Sequence, residues 1–423
     1  MNIKDKLSRL DKSPVIQKEE TIQNPSDELW INDFQRELDA KIISDKNSFI
    51  VLKENFYPAY SHPVFEKLRD SGFVLGNFHR ITADPAARQF NLRKALFIDL
   101  ETTGLSGGTG TYAFLIGLGH FELDHIVVRQ YVLPDFQHEW LMLNMVENIL
   151  LSYEHLVSFN GKSFDIPLLR NRFILNRIDS MLDDKNHIDV LHASRRLWKR
   201  RLIYCDLQNL EYAILGQERH DDIPGEMIPQ IYFEYIRKRK AGLLRDVLEH
   251  NYHDIVNMML LTLQIGQISE NPLQALEHSE DIFSLARFYY QNKEYSETVP
   301  LLEFLQQNNS DRPDRREALF LLSMTYKKMG DHRKAGDLFQ QLLEEQHDHP
   351  EAIEELAKYY EHKEKNYAAA LELVEQGLEY IELLKQLGRN NPLIDLRESL
   401  LHRKMRLQTK MENFKAENRG NPE

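Results

Sequence analysis

The chain of 423 residues carries 53 basic and 66 acidic side chains, a formal net charge of −13. This balance argues against indiscriminate binding to nucleic acid, and the length predicts two or three domains. Cys205 is the sole cysteine, which excludes an internal disulfide and a thiolate zinc cluster. The sequence has no apolar run long enough for a membrane helix and no secretory h-region. We therefore expect a cytoplasmic protein without a membrane partner.

The N-terminal part of the chain has no clear periodicity. Residues 1–28 are polar and charged, and this composition predicts a flexible arm. Residues 29–93 carry scattered aromatic side chains, Trp30 and Phe56 among them. We treat them as an N-terminal extension to which no role can be assigned.

Two carboxylates follow an apolar run. Residues 95–98 (Ala-Leu-Phe-Ile) are typical of a buried strand, and Asp99-Leu100-Glu101 comes directly after them. Because side chains alternate across a strand, Asp99 and Glu101 point the same way at the edge of the predicted sheet. Paired oxygen ligands suit a hard divalent cation. A solvated strand end or a helix cap is the alternative for this motif.

Strands and helices alternate after the first strand. The glycine-rich stretch 107–110 lacks a following Gly-Lys-Ser/Thr, so a nucleotide P-loop is not expected. Residues 113–119 and 126–131 predict a three-stranded meander with the first strand. The pattern then predicts a helix over about 138–152, a strand before Asn160, a helix over about 164–177 and a short strand near 188–190.

A third acid begins the second of these helices. The segment around Gly161 predicts a turn, and Asp165 falls in the first helical turn, where the helix dipole favours a carboxylate. Asp165 is therefore a cap or a further metal ligand. Asn160 and Lys162, in the turn, are candidates for contact with nucleic acid. Asp189 fits a turn or cap role better than that of an accessory acid.

A run of basic residues follows Asp189, with no acid before Asp206. Such runs are commonly solvated faces, and a second one covers residues 237–240. If the predicted acids act on a nucleic acid, these runs are candidate clamps for its backbone, with Trp198 and Tyr204 available to stack on bases. Trp198 fits a core position equally well. The candidate clamp residues of the first run are Arg195, Arg196, Lys199, Arg200 and Arg201.

A fourth acid lies in the apolar periodic segment from about Leu243 to Ile265. His250 and Asp254 are four residues apart and so share a face of the predicted helix. An imidazole with a pKa near 6.5 can accept a proton from water at neutral pH, although an ordinary surface pair is the alternative. His253 lies about 100° round the helix from Asp254 and should face away.

The C-terminal part of the chain repeats with a period near the 34 residues of tetratricopeptide repeats. Stacked helical hairpins of this kind form a concave surface for protein or peptide recognition, and bracing the preceding domain is the alternative role. Most of the acidic excess lies in this part. The recurring positions are Ile282, Leu285, Ala286, Tyr289, Thr298 and Leu302; Leu319, Leu322, Ser323, Tyr326, Ala335 and Phe339; and Ile353, Leu356, Ala357, Tyr360, Ala369 and Leu373.

These motifs resemble the DEDD exonucleases, and more closely the YprB family of RNase H-like proteins with tetratricopeptide repeats. Residues 106–112 (Ser-Gly-Gly-Thr-Gly-Thr-Tyr), 160–165 (Asn-Gly-Lys-Ser-Phe-Asp) and 250–254 (His-Asn-Tyr-His-Asp) carry the resemblance. It implies an α/β RNase H-like mixed sheet flanked by helices, plus an all-α tetratricopeptide-repeat domain. The domains are then 94–270 for the exonuclease, 278–385 for the repeats and 386–423 for a helical or disordered tail.

The resemblance also implies chemistry. Asp99, Glu101, Asp165 and Asp254 occupy the four acidic positions and would hold two divalent cations, Mg²⁺ or Mn²⁺, with His250 as the base. The implied activity is 3′ to 5′ hydrolysis of DNA during repair, beside a helicase bound through the repeats. His250 departs from the pattern, because it occupies the spacing of the tyrosine branch. An RNA exonuclease and an inactive nucleic-acid-binding scaffold are the alternatives.

Overall fold

The computed structural model describes residues 25–45, 48–58, 74–104, 110–122, 125–308, 313–345, 349–387 and 393–419. The predicted arm up to residue 24, most of the glycine-rich stretch 107–110 and the last four residues lie outside this described part. The chain forms two compact units, the first ending at Ala275 and the second beginning at Leu276.

Seven of the described strands form one mixed sheet in the order β1-β2-β7-β6-β5-β8-β9, and β3 pairs with β4. Neighbours from β1 to β5 are antiparallel, whereas β8 is parallel to both β5 and β9. In chain order the strands are β1 (Lys41–Asp45), β2 (Ser48–Pro58), β3 (Val74–Leu75), β4 (Phe90–Asn91), β5 (Ala95–Thr102), β6 (Ala113–Phe121), β7 (His125–Val132), β8 (His155–Ser158) and β9 (Asn186–Asp189).

The predicted meander is present as β5, β6 and β7. The extension 29–93, which had no role in the sequence interpretation, supplies β1 and β2 to the same sheet, where Val51 of β2 lies opposite Val132 of β7. Trp30, at the start of this stretch, packs edge-on against Phe49 at a centroid distance of 5.5 Å. The strands β1 and β2 of this stretch therefore belong to the sheet that carries the acids, and a boundary at residue 94 separates them from it.

Helices flank the sheet of the first unit. The helices predicted over 138–152 and 164–177 are present as α3 and α4. The helices are α1 (Pro25–Leu38), α2 (Phe78–Thr82), α3 (Glu139–Leu150), α4 (Asp165–Leu175), α5 (Val190–Trp198), α6 (Leu207–Leu210), α7 (Ile228–Lys238), α8 (Arg245–Glu270) and α9 (Pro272–Ala275). A π-helical turn at Glu211–Leu215 follows α6 directly.

Helix α8 lies close against the sheet because two glycines of β6 leave room for it. A β-carbon on Gly117 would lie 2.3 Å from Oδ1 of Asn251, and one on Gly119 would lie 2.5 Å from Cγ2 of Ile255. Every residue of β6 is buried, as expected for a strand near the centre of a covered sheet. This close packing brings the polar face of α8 to the carboxylates of β5.

The second unit consists of helices in its described part, and each helix from α10 to α16 contacts the next. These are α10 (Ser279–Gln291), α11 (Tyr295–Asn308), α12 (Pro313–Met329), α13 (His332–Glu345), α14 (Pro350–Tyr359), α15 (Tyr367–Gln386) and α16 (Ile394–Arg419). The recurring apolar positions of the first two predicted repeats, such as Leu285 and Leu322, are buried. None of the described helices of the chain combines the length and apolarity needed to span a membrane.

The third repeat departs from the predicted register. Ala370 and Val374 are buried, one position later than Ala369 and Leu373. The π-helical turn Tyr360–Glu364 precedes them, and a π turn inserts one extra residue into a helix. The extra residue accounts for the shift.

Candidate metal centre

Two of the predicted acids lie on β5, at the sheet face that α8 covers. Asp99 lies opposite Gly117 of β6 and Glu101 opposite Leu115, and strand alternation places both carboxylates on one face. The side-chain amide of Asn251 donates a 2.8 Å hydrogen bond to Oδ2 of Asp99. Both acids belong to the strand itself.

Asp165 is the first residue of α4, and a braced turn delivers it. Asn160 takes a left-handed backbone conformation (φ 65°), and its backbone N–H donates a 2.8 Å hydrogen bond to Oδ1 of Asp189. The amide of Lys162 donates to the other oxygen of Asp189 at 3.1 Å. Asp189 also caps α5 through the amide of Leu191 at 3.1 Å. The turn-or-cap interpretation of Asp189 agrees with this geometry.

The carboxylate of Asp165 reaches β5 from the start of α4, the helix that follows β8. It accepts a backbone hydrogen bond from Leu100, the residue between Asp99 and Glu101. A β-carbon on Gly161 would lie 3.0 Å from Oδ2 of Asp165 and 2.5 Å from Oγ of Ser158. The glycine in the turn therefore leaves the space that this carboxylate needs.

Helix α8 supplies the remaining members. Ligand atoms of Glu101, His250 and Asp254 lie within 4.8 Å of one another. Nε2 of His250 is 3.4 Å from Oδ2 of Asp254, whereas Nε2 of His253 is 3.9 Å from Oε1 of Glu249. Of the two histidines, His250 is the one grouped with the acids.

A buried pair of amides holds Asp99 from within the core. Nε2 of Gln130 donates to Oδ1 of Asn251 at 2.9 Å and to the carbonyl oxygen of Leu248 at 2.7 Å. Gln130 and Asn251 are both fully buried. Buried polar groups need hydrogen-bond partners, and these two side-chain amides supply one to each other. The hydrogen bonds fix the orientation of both amides. Asp99 therefore receives a donor in a defined direction.

The acids raise one another's pKa. Burial raises the pKa of Asp99 well above its usual range, and the charges of Asp254 and Asp165 add to the effect. Burial and the charge of Asp99 do the same for Glu101. Burial raises the pKa of Asp165 to about 7, despite the backbone hydrogen bonds that it accepts. A hard divalent cation would offset the electrostatic repulsion among these clustered carboxylates.

Comparison with known proteins gives the family. Residues 96–265 match the model of the RNase_H superfamily. The chain is also 30% identical over 393 residues to the uncharacterized protein YprB of Bacillus subtilis (strain 168). The aligned region covers 89% of this chain and 94% of that protein. The chain belongs to the YprB family. The predicted RNase H-like mixed sheet with flanking helices is thereby confirmed for the first unit.

Three charged residues beside the acids were missing from the sequence interpretation of this YprB-family chain. Oδ1 of Asp254 accepts a 2.5 Å bond from Nη2 of Arg219, and Nδ1 of His250 lies 2.8 Å from Oδ1 of Asp222. Glu211 pairs with Arg219 through Nε at 2.7 Å. Burial would raise the pKa of Asp222, but His250 and Arg219 outweigh it and leave that pKa below its usual range.

The candidate clamp residues have different environments. Nη1 of Arg196 donates to the carbonyl oxygens of Ile81 and Thr82 at 2.9 and 2.7 Å, so this side chain fastens α5 to α2. Trp198 is 1% exposed and belongs to the core, which rules out the stacking alternative. Arg195, Lys199 and Arg200 are exposed, and Arg201 is half-buried.

The other candidate contacts with nucleic acid lie at the surface near the turn that carries Asp165. Nζ of Lys162 is 3.2 Å from Oδ2 of Asp84, and Asn160 is half-buried. Tyr204, the remaining candidate for stacking, is 68% exposed.

Proposed function

We propose that this YprB-family chain is a two-metal-dependent DEDD-type exonuclease that hydrolyses DNA from the 3′ end. The observation that carries the proposal is that ligand atoms of Glu101, His250 and Asp254 lie within 4.8 Å of one another. The charges of Asp99 and Asp165 act on the carboxylate of Glu101. These residue types suit hydrolysis of a phosphodiester, in which water must lose a proton and negative charge must be stabilised.

The donor set fits hard divalent cations. Asp99, Glu101, Asp165 and Asp254 offer carboxylate oxygens from a strand and two helices, a set that Mg²⁺ and Mn²⁺ favour. A pair of such cations, when bound, supplies a lowered pKa for the attacking water and charge stabilisation at the leaving oxygen. The carboxylates repel one another in the metal-free protein, and this repulsion supports the assignment.

His250 has the geometry of a general base. Its Nε2 faces Asp254, and in the role proposed this nitrogen accepts the proton of the attacking water. Asn251 fixes the direction of Asp99 through its 2.8 Å hydrogen bond. His250, Asn251 and Asp254 share α8, so one helix carries the base and Asp254 and also orients Asp99 through Asn251.

The substrate and the partner are further parts of the proposal. We assign DNA, the 3′ to 5′ direction and a role in repair from the resemblance to the DEDD exonucleases and the YprB family. The buried recurring positions of the second unit support tetratricopeptide repeats, whose concave surface would bind a protein partner such as a helicase.

End-labelled oligonucleotides test the function. Purified full-length protein is incubated with 5′-labelled single- and double-stranded DNA and RNA, with Mg²⁺, with Mn²⁺ or with a chelator, and Glu101→Gln serves as the matched variant. We expect stepwise shortening of DNA that needs the cation and is lost in Glu101→Gln. Faster shortening of RNA would replace DNA by RNA as substrate, and intact substrates under every condition would favour the inactive scaffold.

A further inference from the structure

The loop between the π-helical turn Glu211–Leu215 and α7 carries a charged pair, Arg219 and Asp222, that contacts His250 and Asp254. We propose that Asp222 is a positioning residue for His250 and that Arg219 holds Asp222 and Asp254 in place for this purpose. This inference rests on the proposed nuclease function. The loop residues lie far in sequence from α8, and their contacts with it are tertiary.

Asp222 sets which nitrogen of His250 carries hydrogen. Its Oδ1 lies 2.8 Å from Nδ1 of the ring, and a carboxylate can only accept a hydrogen bond. This contact therefore places a hydrogen on Nδ1 and leaves Nε2 as the nitrogen for the proposed role of proton acceptor. That nitrogen lies 3.4 Å from Oδ2 of Asp254. Asp222 thus turns the accepting nitrogen toward the acids.

Arg219 uses its planar fork to fix the spacing. Its Nη1 donates to Oδ2 of Asp222 at 3.0 Å and its Nη2 to Oδ1 of Asp254 at 2.5 Å. Each carboxylate keeps its other oxygen for the site, since Oδ1 of Asp222 contacts His250 and Oδ2 of Asp254 faces the same ring. One guanidinium therefore aligns both acids on His250.

Glu211 anchors Arg219 from the protein interior. This glutamate is 1% exposed and binds the guanidinium through two bonds, one of them from Nε at 2.7 Å. Paired, bidentate contacts of this type give a fixed direction as well as attraction. The order of support runs from buried Glu211 through Arg219 and Asp222 to the ring of His250. Residues that orient a functional histidine in this way typically change activity 10- to 100-fold when replaced.

The test compares Asp222→Asn with Asp221→Asn in the full-length protein. The two substitutions remove the same charge from neighbouring residues, but Asp221 is exposed and has a left-handed backbone (φ 61°) that Asn tolerates. We expect Asp222→Asn to lower kcat about 10- to 100-fold with little change in KM. Asp221→Asn should behave as the unaltered protein does.

A second readout works without metal or substrate. Nitrogen-15 NMR of histidine-labelled, metal-free protein reports which ring nitrogen is protonated, and His250→Gln identifies the signal of His250. We expect the hydrogen on Nδ1 in the unaltered protein and in Asp221→Asn, and a loss of that preference in Asp222→Asn. Asp222→Ala makes the same test if Asp222→Asn does not fold.

An unchanged Nδ1-H signal in Asp222→Asn, or equal activity of Asp222→Asn and Asp221→Asn, would overturn the inference. If the unaltered protein cleaves nothing, the proposed function fails. The NMR comparison still decides whether Asp222 orients the ring.

Discussion

Asn251 and Asp99 are joined by a 2.8 Å hydrogen bond that runs from a buried amide to a carboxylate of the candidate metal centre. Gly117 makes this contact possible, because a β-carbon at that position would lie 2.3 Å from Oδ1 of Asn251. The orientation of one proposed ligand therefore depends on a glycine in the middle of a strand. The packing of α8 against β6 therefore also sets the position of Asn251 and, through it, the direction of Asp99.

Gly117→Ala should weaken metal binding. The new methyl group displaces Asn251 and leaves Asp99 without its donor, so we expect the affinity for Mn²⁺ to fall about 10- to 100-fold. Isothermal titration with Mn²⁺ measures this. Gly119→Ala is the matched control, because its methyl group meets Ile255 and Met259 instead. Equal Mn²⁺ affinities in the two folded variants would contradict the account.

Glu101→Gln should abolish cleavage without weakening the metal-free fold. Burial and the charge of Asp99 raise the pKa of Glu101, so its ionised form destabilises the folded state. Removing that charge should raise Tm at pH 7 by about 2–4 °C, the change that ~1 kcal/mol produces in a protein of this class. Scanning fluorimetry in a chelator measures Tm. A large fall in Tm would show that Glu101 has a structural role instead.

The exposed members of the first basic run should contribute to substrate affinity. We expect Arg195→Ala with Lys199→Ala to raise KM and to flatten the dependence of binding on salt by up to about one unit of log-log slope per lost phosphate contact. Catalysis on bound substrate should persist.

Two other variants sharpen the test of the basic run. Arg237→Ala with Lys240→Ala makes the same change of charge in the second, also exposed run. If both double variants flatten the salt dependence of binding equally, the effect comes from the net charge of the protein and not from the first basic run. Arg196→Ala should lower stability, since its guanidinium binds two backbone oxygens.

Glu361 should stabilise the second unit in a pH-dependent way. Burial opposes its ionisation, but Arg406 and Lys410 outweigh it and lower the pKa of Glu361 to about 2. A carboxylate whose pKa is depressed on folding stabilises above its unfolded pKa, near 4.5, and this contribution is lost as the pH falls from there toward 2.

The measurement is chemical unfolding of Glu361→Gln and the unaltered protein between pH 7 and pH 3. We expect the variant to be less stable by roughly 2–3 kcal/mol at pH 7, with the difference shrinking below pH 4.5. Glu375→Gln is the control, because Glu375 pairs with Lys404 at 2.7 Å in a partly exposed position and should matter by at most about 1 kcal/mol. A constant difference across this range would contradict the assignment.

Periodicity and turn chemistry predicted the elements that carry the site. The apolar run before Asp99, the turn before Asp165 and the helix of His250 depend on local signals, and each element is present in the structure. The pairing of β2 with β7 is a long-range contact between an irregular segment and the meander, and no local pattern indicates it. The one-residue shift at Ala370 follows from a π turn, which sequence periodicity does not reveal.

The support around the acids was less accessible from sequence. Arg219 and Asp222 lie in a loop whose path depends on tertiary contacts, and a loop of mixed charge resembles any solvated surface. Gln130 fits the alternation of a strand, but the acceptors for its side-chain NH₂ group, on Leu248 and Asn251, reach it only because α8 packs against the sheet. The sequence interpretation grouped Arg196 with the other candidate clamp residues, although its guanidinium binds two backbone oxygens of the protein itself.

Anomalous diffraction from crystals soaked in Mn²⁺ tests the central claim most directly. The account predicts two manganese peaks among the carboxylates of Asp99, Glu101, Asp165 and Asp254, about 3.5–4 Å apart as two-metal sites require. Crystals of Glu101→Gln, soaked identically, should lose at least one peak. Manganese elsewhere on the protein, with none among these four acids, would contradict the account.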